Sequence, residues 1–171
     1  MPAVTYKVGD DISTDVIYPG RFMATVLPSE TPKLAFADDA EFNERLRSGS
    51  VPRGAILLAG KNFGCGSSRE QAASTLAGHH LTIVARGFAR IFLQNAINVG
   101  LRTVSCPGIE ADEGDTLVIG EEAVVNLKTG RGFGIEPRPA ARRAIVEAGG
   151  LIPYTRRLLL ESRSGEQAPA R

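Results

Sequence analysis

Residues 54–104, GAILLAGKNFGCGSSREQAASTLAGHHLTIVARGFARIFLQNAINVGLRTV, alternate short apolar runs with segments of helical periodicity. Residues 54–60 form an apolar run between two glycines, which is typical of a strand buried on both faces. Residues 81–85 and 101–104 repeat this pattern. The stretch therefore predicts three short strands in succession.

Two helices are predicted between these strands. Ser67 and Glu70 have the spacing of a capping box, so the first helix is expected to begin at Ser67 and to end at Gly78. In the second, apolar residues recur at helical spacing between 91 and 99, and Gly100 ends the pattern. Alternating strands and helices imply right-handed crossovers. We predict an α/β fold with a mostly parallel central sheet and flanking helices.

The remaining segments are predicted to extend this core. Residues 9–15 indicate a loop, and residues 39–47 indicate a short helix. Beyond the core, residues 116–127 indicate an antiparallel hairpin, and residues 138–148 indicate a helix. One domain over residues 1–161 is expected, followed by a polar, disordered tail over residues 162–171.

The charge of the chain is balanced, with 20 Lys and Arg against 19 Asp and Glu and a net charge of +1. Nucleic-acid binding normally requires a basic excess, so no nucleic-acid partner is expected. The sequence shows no charged leader followed by an apolar segment, and no long apolar run. We therefore expect neither secretion nor membrane insertion, and we predict a cytoplasmic protein.

The potential metal ligands are few. Cys65 and Cys106 are far apart and lack the paired spacing of zinc and iron–sulfur sites. His79 and His80 are adjacent, in a position that indicates a turn after a helix. We predict no metal site in this chain, and we expect Cys106 to be a small buried residue.

Residues 62–70, NFGCGSSRE, place glycines, two hydroxyls and a guanidinium between a strand and a helix. Ligands of open α/β sheets bind at the carboxyl ends of the strands. A helix amino terminus favours anions, and the Arg69 guanidinium matches a carboxylate or a phosphate. The residues alone predict a small-anion site, and they leave open that the segment is only a well-capped helix.

Three ordered motifs resemble one known family. Residues 62–73, NFGCGSSREQAA, closely resemble the signature of the aconitase swivelling domain, a β/β/α domain that is a separate small subunit in isopropylmalate dehydratase and homoaconitase. Residues 9–15, GDDISTD, with residues 17–21, IYPGR, resemble the amino-terminal active-site loop of that family. Residues 86–100, RGFARIFLQNAINVG, resemble its next helix. The resemblance covers about the first hundred residues.

The resemblance implies roles for individual residues. Ser67 matches the serine whose alkoxide removes a proton from the carbon next to a carboxylate. Ser68 and Arg69 match residues that hold a substrate carboxylate, and Asp15 matches the acidic residue that completes the hydrogen-bond network. Arg21 aligns loosely with a second carboxylate contact. The two arginines of the third motif, Arg86 and Arg90, could face the site, the partner or solvent.

The family reaction also implies a partner and a cofactor. A larger subunit would hold a [4Fe–4S] cluster, in a heterodimer or heterotetramer, and this chain would carry no cofactor of its own. The pair would interconvert 2-isopropylmalate and 3-isopropylmalate, in leucine biosynthesis, by dehydration and rehydration. A non-catalytic anion-binding regulatory module is the alternative from another class.

The substrate is less well indicated than the reaction. Small subunits that act on isopropylmalate or homoaconitate carry a discriminating stretch that begins with Tyr-Leu after the Pro-Gly-Arg turn, and this chain departs from that pattern. The corresponding specificity loop here consists of Phe22, Met23, Ala24, Thr25 and Val26. Isopropylmalate is the preferred alkyl-malate substrate, and homoaconitate, methylmalate and dimethylmalate remain open.

Overall fold

The computed structural model describes residues 2–27 and 29–166. The strands are β1 (Val4–Lys7), β2 (Ile56–Ala59), β3 (Thr82–Ala85), β4 (Arg102–Ser105), β5 (Leu117–Ile119), β6 (Ala123–Asn126) and β7 (Gly132–Gly134). The α-helices are α1 (Thr14–Ile17), α2 (Ala40–Arg47), α3 (Glu70–Gly78), α4 (Arg90–Asn98), α5 (Ala140–Glu147) and α6 (Leu151–Glu166), and 3-10 turns span Gly20–Phe22 and Thr31–Leu34.

Four of the strands form one parallel sheet in the order β1-β2-β3-β4. The connections from β2 through α3 to β3, and from β3 through α4 to β4, confirm the alternation predicted for residues 54–104. Parallel neighbours need such crossovers because each chain must return to the same end of the sheet before it pairs again.

Both faces of this sheet are buried. Successive side chains of a strand point to opposite faces, so Leu57 and Ile83 pack toward the helices, whereas Ile56 and Val84 pack toward a second, antiparallel sheet. This double burial explains why the strands read as continuous apolar runs. The molecule has three layers, which are helices, the parallel sheet and the antiparallel sheet.

The second sheet contains the predicted hairpin. Strands β5 and β6 pair in antiparallel register, which confirms the expectation for residues 116–127. Strand β7 adds to β6 and was not predicted, because three residues with two glycines give too short a pattern to recognise. A bridge between Ala3 and Thr116 joins the two sheets.

Three further strands or helices were absent from the prediction, and the first is the short helix α1, whose first two residues lie where a loop was expected over residues 9–15. Strand β1 pairs at the edge of the parallel sheet, and the apolar alternation of Val4, Tyr6 and Val8 is the signal that indicates it. Helix α6 runs through residues 162–166, where a disordered tail was expected, because extending an existing helix costs little once its first turn has formed. The rest of that tail, residues 167–171, lies outside the described residues.

A buried carboxylate stabilises the antiparallel sheet. Asp115 is only 4% exposed, and its Oδ2 accepts hydrogen bonds from the Asn126 amide at 2.9 Å and from the Asp112 backbone N–H at 3.0 Å. The Lys128 ammonium lies 3.0 Å from Oδ1 and forms an ion pair. The backbone hydrogen bond first, and then these two side chains, lower the pKa of Asp115 from 3.8 to about 2.

Asp115→Asn should lower the free energy of unfolding at neutral pH, because it removes the charge that these donors stabilise. Since the folded pKa lies below the unfolded value, the stabilisation is fully present above pH 3.8 and is lost as the pH falls through about 2. Urea unfolding of both proteins between pH 2 and 7 measures this difference. Asp112→Asn, which removes the exposed ion pair with Lys7, is the control and should change stability by less than about 1 kcal/mol. An equal loss at every pH would contradict the assignment.

Candidate functional site

Two loops that are distant in sequence run side by side at the carboxyl ends of β1 and β2. Gly64 N–H donates to the Ile12 carbonyl at 2.7 Å, and Thr14 N–H donates to the Cys65 carbonyl at 2.8 Å. The buried Thr14 hydroxyl donates to the Ser67 carbonyl at 2.9 Å. Residues 9–15 and 62–73, two of the three motifs found in the sequence, therefore form one edge.

The third motif, residues 86–100, packs against the segment of residues 62–73 on the side that faces the core. Phe63 N–H donates to the Gly87 carbonyl at 3.0 Å, and the Phe63 ring packs edge-on against Phe92 with centroids 5.2 Å apart. Gly64 has φ +81°, and a Cβ on it would lie 2.2 Å from Cγ of Phe92. Only glycine meets both demands, because other residues are strained at this φ and have no space here.

Ser67 and Ser68 present their hydroxyls to solvent at this edge. Both residues are exposed, and within the described residues neither hydroxyl has a hydrogen-bond partner. Helix α3 begins at Glu70, with Arg69 as its N-cap, so the predicted capping box between Ser67 and Glu70 is wrong. The reason is the pairing with Thr14, which keeps residues 65–67 beside the neighbouring loop. The hydroxyls are consequently not used in capping.

Arg69 is held from one side. Its Nη1 donates to Oδ1 of Asp15 and to the Tyr18 carbonyl, at 3.2 Å in the second case. The Arg69 side chain is only 14% exposed, whereas that of Asp15 is 57% exposed. A Cβ on Gly20 would lie 3.4 Å from Nη2 of Arg69, so the chain passes close to the guanidinium. The structure thus brings Asp15 and Arg69 together, as the resemblance implies.

Arg21 is engaged by a residue that was not predicted. Its Nη2 donates to Oδ1 of Asp38 at 2.5 Å, its Nη1 donates to Oδ2 at 3.2 Å, and its guanidinium lies 4.6 Å from the Phe22 ring centroid. The hydrogen bonds from Arg21 lower the pKa of Asp38 below its usual value. In this state the Arg21 guanidinium faces Asp38, and both side chains are more than half exposed.

The predicted specificity loop borders the same edge. Phe22 and Thr25 are half-buried, whereas Met23, Ala24 and Val26 are exposed. A 3-10 turn holds its first half, where Met23 N–H donates to the Gly20 carbonyl. The loop therefore combines a fixed backbone with outward-facing apolar side chains.

The other predicted residues lie around this edge or away from it. Arg86 is exposed, and its Nε donates to the Ile109 carbonyl at 3.3 Å. Arg90 is exposed at the start of α4. Cys65 donates through Sγ to the Asp11 carbonyl, and Cys106 is buried as expected.

Within residues 2–27 and 29–166, no group of three or more His, Cys, Asp and Glu side chains is arranged to hold a metal ion. No helix in this part of the chain has the length and apolarity required to cross a membrane.

Sequence reasoning missed three contributors to the site, namely Thr14, Tyr18 and Asp38. Thr14 and Tyr18 are adjacent to predicted residues, but their burial, at 2% and 0% exposure, is decided by contacts distant in sequence. Asp38 lies outside every motif, and no spacing rule relates it to Arg21. Only the folded chain reveals these contacts.

The assembled edge has the chemistry of a carboxylate-binding surface. It offers the exposed hydroxyls of Ser67 and Ser68 and, at the next residue, the Arg69 guanidinium, which Asp15 and the Tyr18 carbonyl orient. A cleft of about 470 Å³ opens alongside, lined by Asp15, Val16 and Asp38 among others. Because the hydroxyls face solvent, a second surface is needed to enclose a substrate over them.

Comparison with known proteins places the chain in a family. Residues 11–108 match the family described as Aconitase C-terminal domain, and this match covers more than half of the chain. The chain belongs to the aconitase C-terminal domain family. The resemblance of its three motifs is thereby confirmed, as is the expected aconitase-type β/β/α architecture.

Several relatives in this family carry functional names. The chain is 44% identical over 155 residues to the 3-isopropylmalate dehydratase small subunit 1 of Methanopyrus kandleri, covering 87% of this chain and 88% of the relative. It is 39% identical to the isopropylmalate/citramalate isomerase small subunit of Methanocaldococcus jannaschii, over 92% and 94% of the two chains. The crystal structure of 3-isopropylmalate dehydratase from the same organism superposes with a TM-score of 0.82 at 36% identity, over 95% and 97%.

Gly64→Ala should destabilise the protein more than Gly130→Ala. Both glycines have positive φ, +81° and +69°, but a Cβ on Gly130 meets nothing within 4 Å. The left-handed backbone costs either alanine about 1 to 2 kcal/mol, and overpacking against Phe92 should add about 1 to 3 kcal/mol at Gly64. Urea unfolding midpoints give the comparison. Equal losses would show that Phe92 yields without cost.

Proposed function

We propose that this chain is the small subunit of an aconitase-type hydro-lyase that acts as a 3-isopropylmalate dehydratase. The observation that carries the proposal is the exposed edge on which the unpaired hydroxyls of Ser67 and Ser68 directly precede Arg69 in the chain, with the Arg69 guanidinium held by Asp15. The names of the relatives provide independent support, because they describe small subunits of this enzyme. A partner that completes the site also accounts for hydroxyls that face solvent.

Ser67 acts in this proposal as the general base. Its alkoxide takes a proton from the substrate carbon next to a carboxylate, the C–H electron pair forms the alkene, and the C–O bond on the neighbouring carbon breaks with hydroxide as the leaving group. Hydroxide then adds to the carbon that lost the proton, and Ser67 returns its proton to the carbon that lost the hydroxyl, which exchanges the positions of hydrogen and hydroxyl. A serine anion needs electrostatic support, and the charge of Arg69 and the amino-terminal end of α3 provide it.

Arg69 and Ser68 bind the substrate carboxylate. A guanidinium offers two parallel N–H donors to a carboxylate, and its planar geometry fixes the orientation of the acid. Asp15 and the Tyr18 carbonyl occupy Nη1 and limit rotation of the Arg69 side chain. We assign Arg21 to a second carboxylate, which would compete with Asp38 for its guanidinium.

The partner subunit would provide the Lewis acid. A [4Fe–4S] cluster held there would supply Lewis-acid chemistry for departure of the substrate hydroxyl. This chain has only two cysteines, and Cys106 lies buried beneath the antiparallel sheet, so cluster ligands have to come from another chain. The residues of this chain are left with proton removal and carboxylate binding.

We assign contact with the variable group of the substrate to the specificity loop, which consists of Phe22, Met23, Ala24, Thr25 and Val26. Three of these side chains are exposed and apolar, which favours an alkyl substituent over the additional carboxylate of homoaconitate. One relative is named as an isopropylmalate/citramalate isomerase small subunit. Because citramalate is a methyl-substituted malate, methyl-substituted malates remain candidate substrates. We therefore propose an alkyl-malate substrate, with isopropylmalate first.

Ser67→Ala should abolish turnover while the protein stays folded. The chain should be co-expressed with the large subunit of its source organism, and 2-isopropylmalate conversion should fall by at least about a hundredfold, the usual effect of losing a general base. Loss of an exposed, unpaired hydroxyl should change stability by only about 0.5 kcal/mol. Ser50→Ala, which removes a hydroxyl that donates to the Arg45 carbonyl outside the site, is the control and should keep full activity. Wild-type turnover by the Ser67 variant, or by the chain without its partner, would contradict the proposal.

Arg69→Lys should lower kcat/KM by about ten- to a hundredfold, since an ammonium cannot replace a two-point carboxylate contact. Most of the loss should fall on KM if the contact is already made in the bound ground state. Steady-state kinetics with the reconstituted pair measure both constants. Arg47→Lys, at an exposed position on α2, controls for the exchange of cation. Unchanged kinetics would show that Arg69 does not touch the substrate.

A further inference from the structure

Tyr18 has a fully buried side chain whose hydroxyl reaches the predicted specificity loop. Its exposure is 0%, and its hydroxyl lies 3.2 Å from the Phe22 carbonyl and 3.1 Å from the Thr25 carbonyl. A hydroxyl has one hydrogen to donate, so the two carbonyls share it. Burial raises the pKa of Tyr18, which keeps the phenol protonated and able to donate.

These two carbonyls mark the ends of one turn. Thr25 N–H donates to the Phe22 carbonyl at 2.9 Å and closes residues 22–25 around the hydroxyl. The side chains of Met23 and Ala24, between the two ends, are exposed and carry no hydrogen-bond donor that could hold the backbone in place. The Tyr18 hydroxyl is therefore the internal anchor of this segment.

The backbone of the same residue contacts the carboxylate site. The Tyr18 carbonyl accepts a hydrogen bond from Nη1 of Arg69 at 3.2 Å, and the preceding Ile17 carbonyl accepts one from Phe36 N–H at 2.8 Å. One residue thus touches Arg69 through its main chain and the turn through its side chain. Any displacement of Tyr18 changes the distance between them.

We propose that Tyr18 is a positioning residue that sets the spacing between Arg69 and the turn of residues 22–25, and thereby determines which substituent of the malate is accepted. The proposal rests on the proposed function for its substrate. The anchoring of the turn by the Tyr18 hydroxyl does not depend on the identity of the substrate. Tyr18 itself does not touch the substrate, because its ring and hydroxyl are buried behind the turn.

Tyr154 provides the control. It lies on α6, outside the lining of the cleft beside the site, with its ring centroid 5.6 Å from the Arg157 guanidinium. Tyr154→Phe makes the same side-chain exchange without touching the turn, Arg69 or the cleft. An effect that appears for Tyr18→Phe and not for Tyr154→Phe is then specific to the anchor.

The first experiment is hydrogen exchange on the full chain. In Tyr18→Phe, the amides of Met23 and Thr25 should exchange about two- to tenfold faster, which corresponds to the net strength of one hydrogen bond. Amides of β3 should keep their wild-type rates in both variants, which shows that the fold is intact. Unchanged protection at Met23 and Thr25 would overturn the proposal.

The second experiment measures selectivity in the pair formed with the large subunit. Tyr18→Phe should move the ratio of kcat/KM for isopropylmalate over methylmalate toward one by about two- to tenfold, mainly through KM. Tyr154→Phe should leave that ratio unchanged. An unchanged ratio in Tyr18→Phe together with faster exchange would overturn the role in selectivity. If the wild-type pair converts no malate, the proposed function fails, and hydrogen exchange alone decides whether Tyr18 anchors the turn.

Discussion

The pairing of residues 12–14 with residues 64–67 is the constraint on which the site depends. Each loop follows a different strand, and the paired residues lie at the start of α1 in one loop and before α3 in the other. The backbone hydrogen bonds of Gly64 and Thr14, with the Thr14 hydroxyl on the Ser67 carbonyl, join them into one short ladder. Buried backbone groups need partners, so each loop satisfies donors and acceptors of the other. The positions of Ser67, Ser68 and Arg69 follow from this pairing.

The parallel sheet makes the pairing possible. Because β1 and β2 are neighbours and run in the same direction, the loops after them leave the sheet at the same end. Helix α4 then supports the second loop through Phe92, against which Gly64 packs without a side chain. The core of the domain therefore determines where the two loops lie relative to the sheet. The side of the site edge that faces away from the core stays exposed to solvent.

Ion pairs and hydrogen bonds orient the charged side chains along the edge. Asp15 and the Tyr18 carbonyl orient Arg69, and Asp38 engages Arg21, so each of the two cations is held by a carboxylate nearby. These contacts are local in space but span from 17 to 54 residues in sequence. A substrate with two carboxylates would meet one guanidinium that is already oriented and one that has to leave Asp38. Under the proposed function, the two carboxylates of a malate would therefore be bound unequally.

The sequence by itself determined the alternation of strands and helices, the antiparallel hairpin and the family motifs, because apolar periodicity and glycine positions are local signals. It also placed Ser67, Ser68, Arg69 and Asp15 in one candidate site through their resemblance to a family. The tertiary structure decided what capping rules could not: Ser67 stays outside α3 because its carbonyl is bound by Thr14, a partner 53 residues away. It likewise decided that Tyr18 lies beneath the turn of residues 22–25 and that Asp38 meets Arg21. Such contacts depend on how the loops fold over the sheet, and no spacing along the chain encodes them.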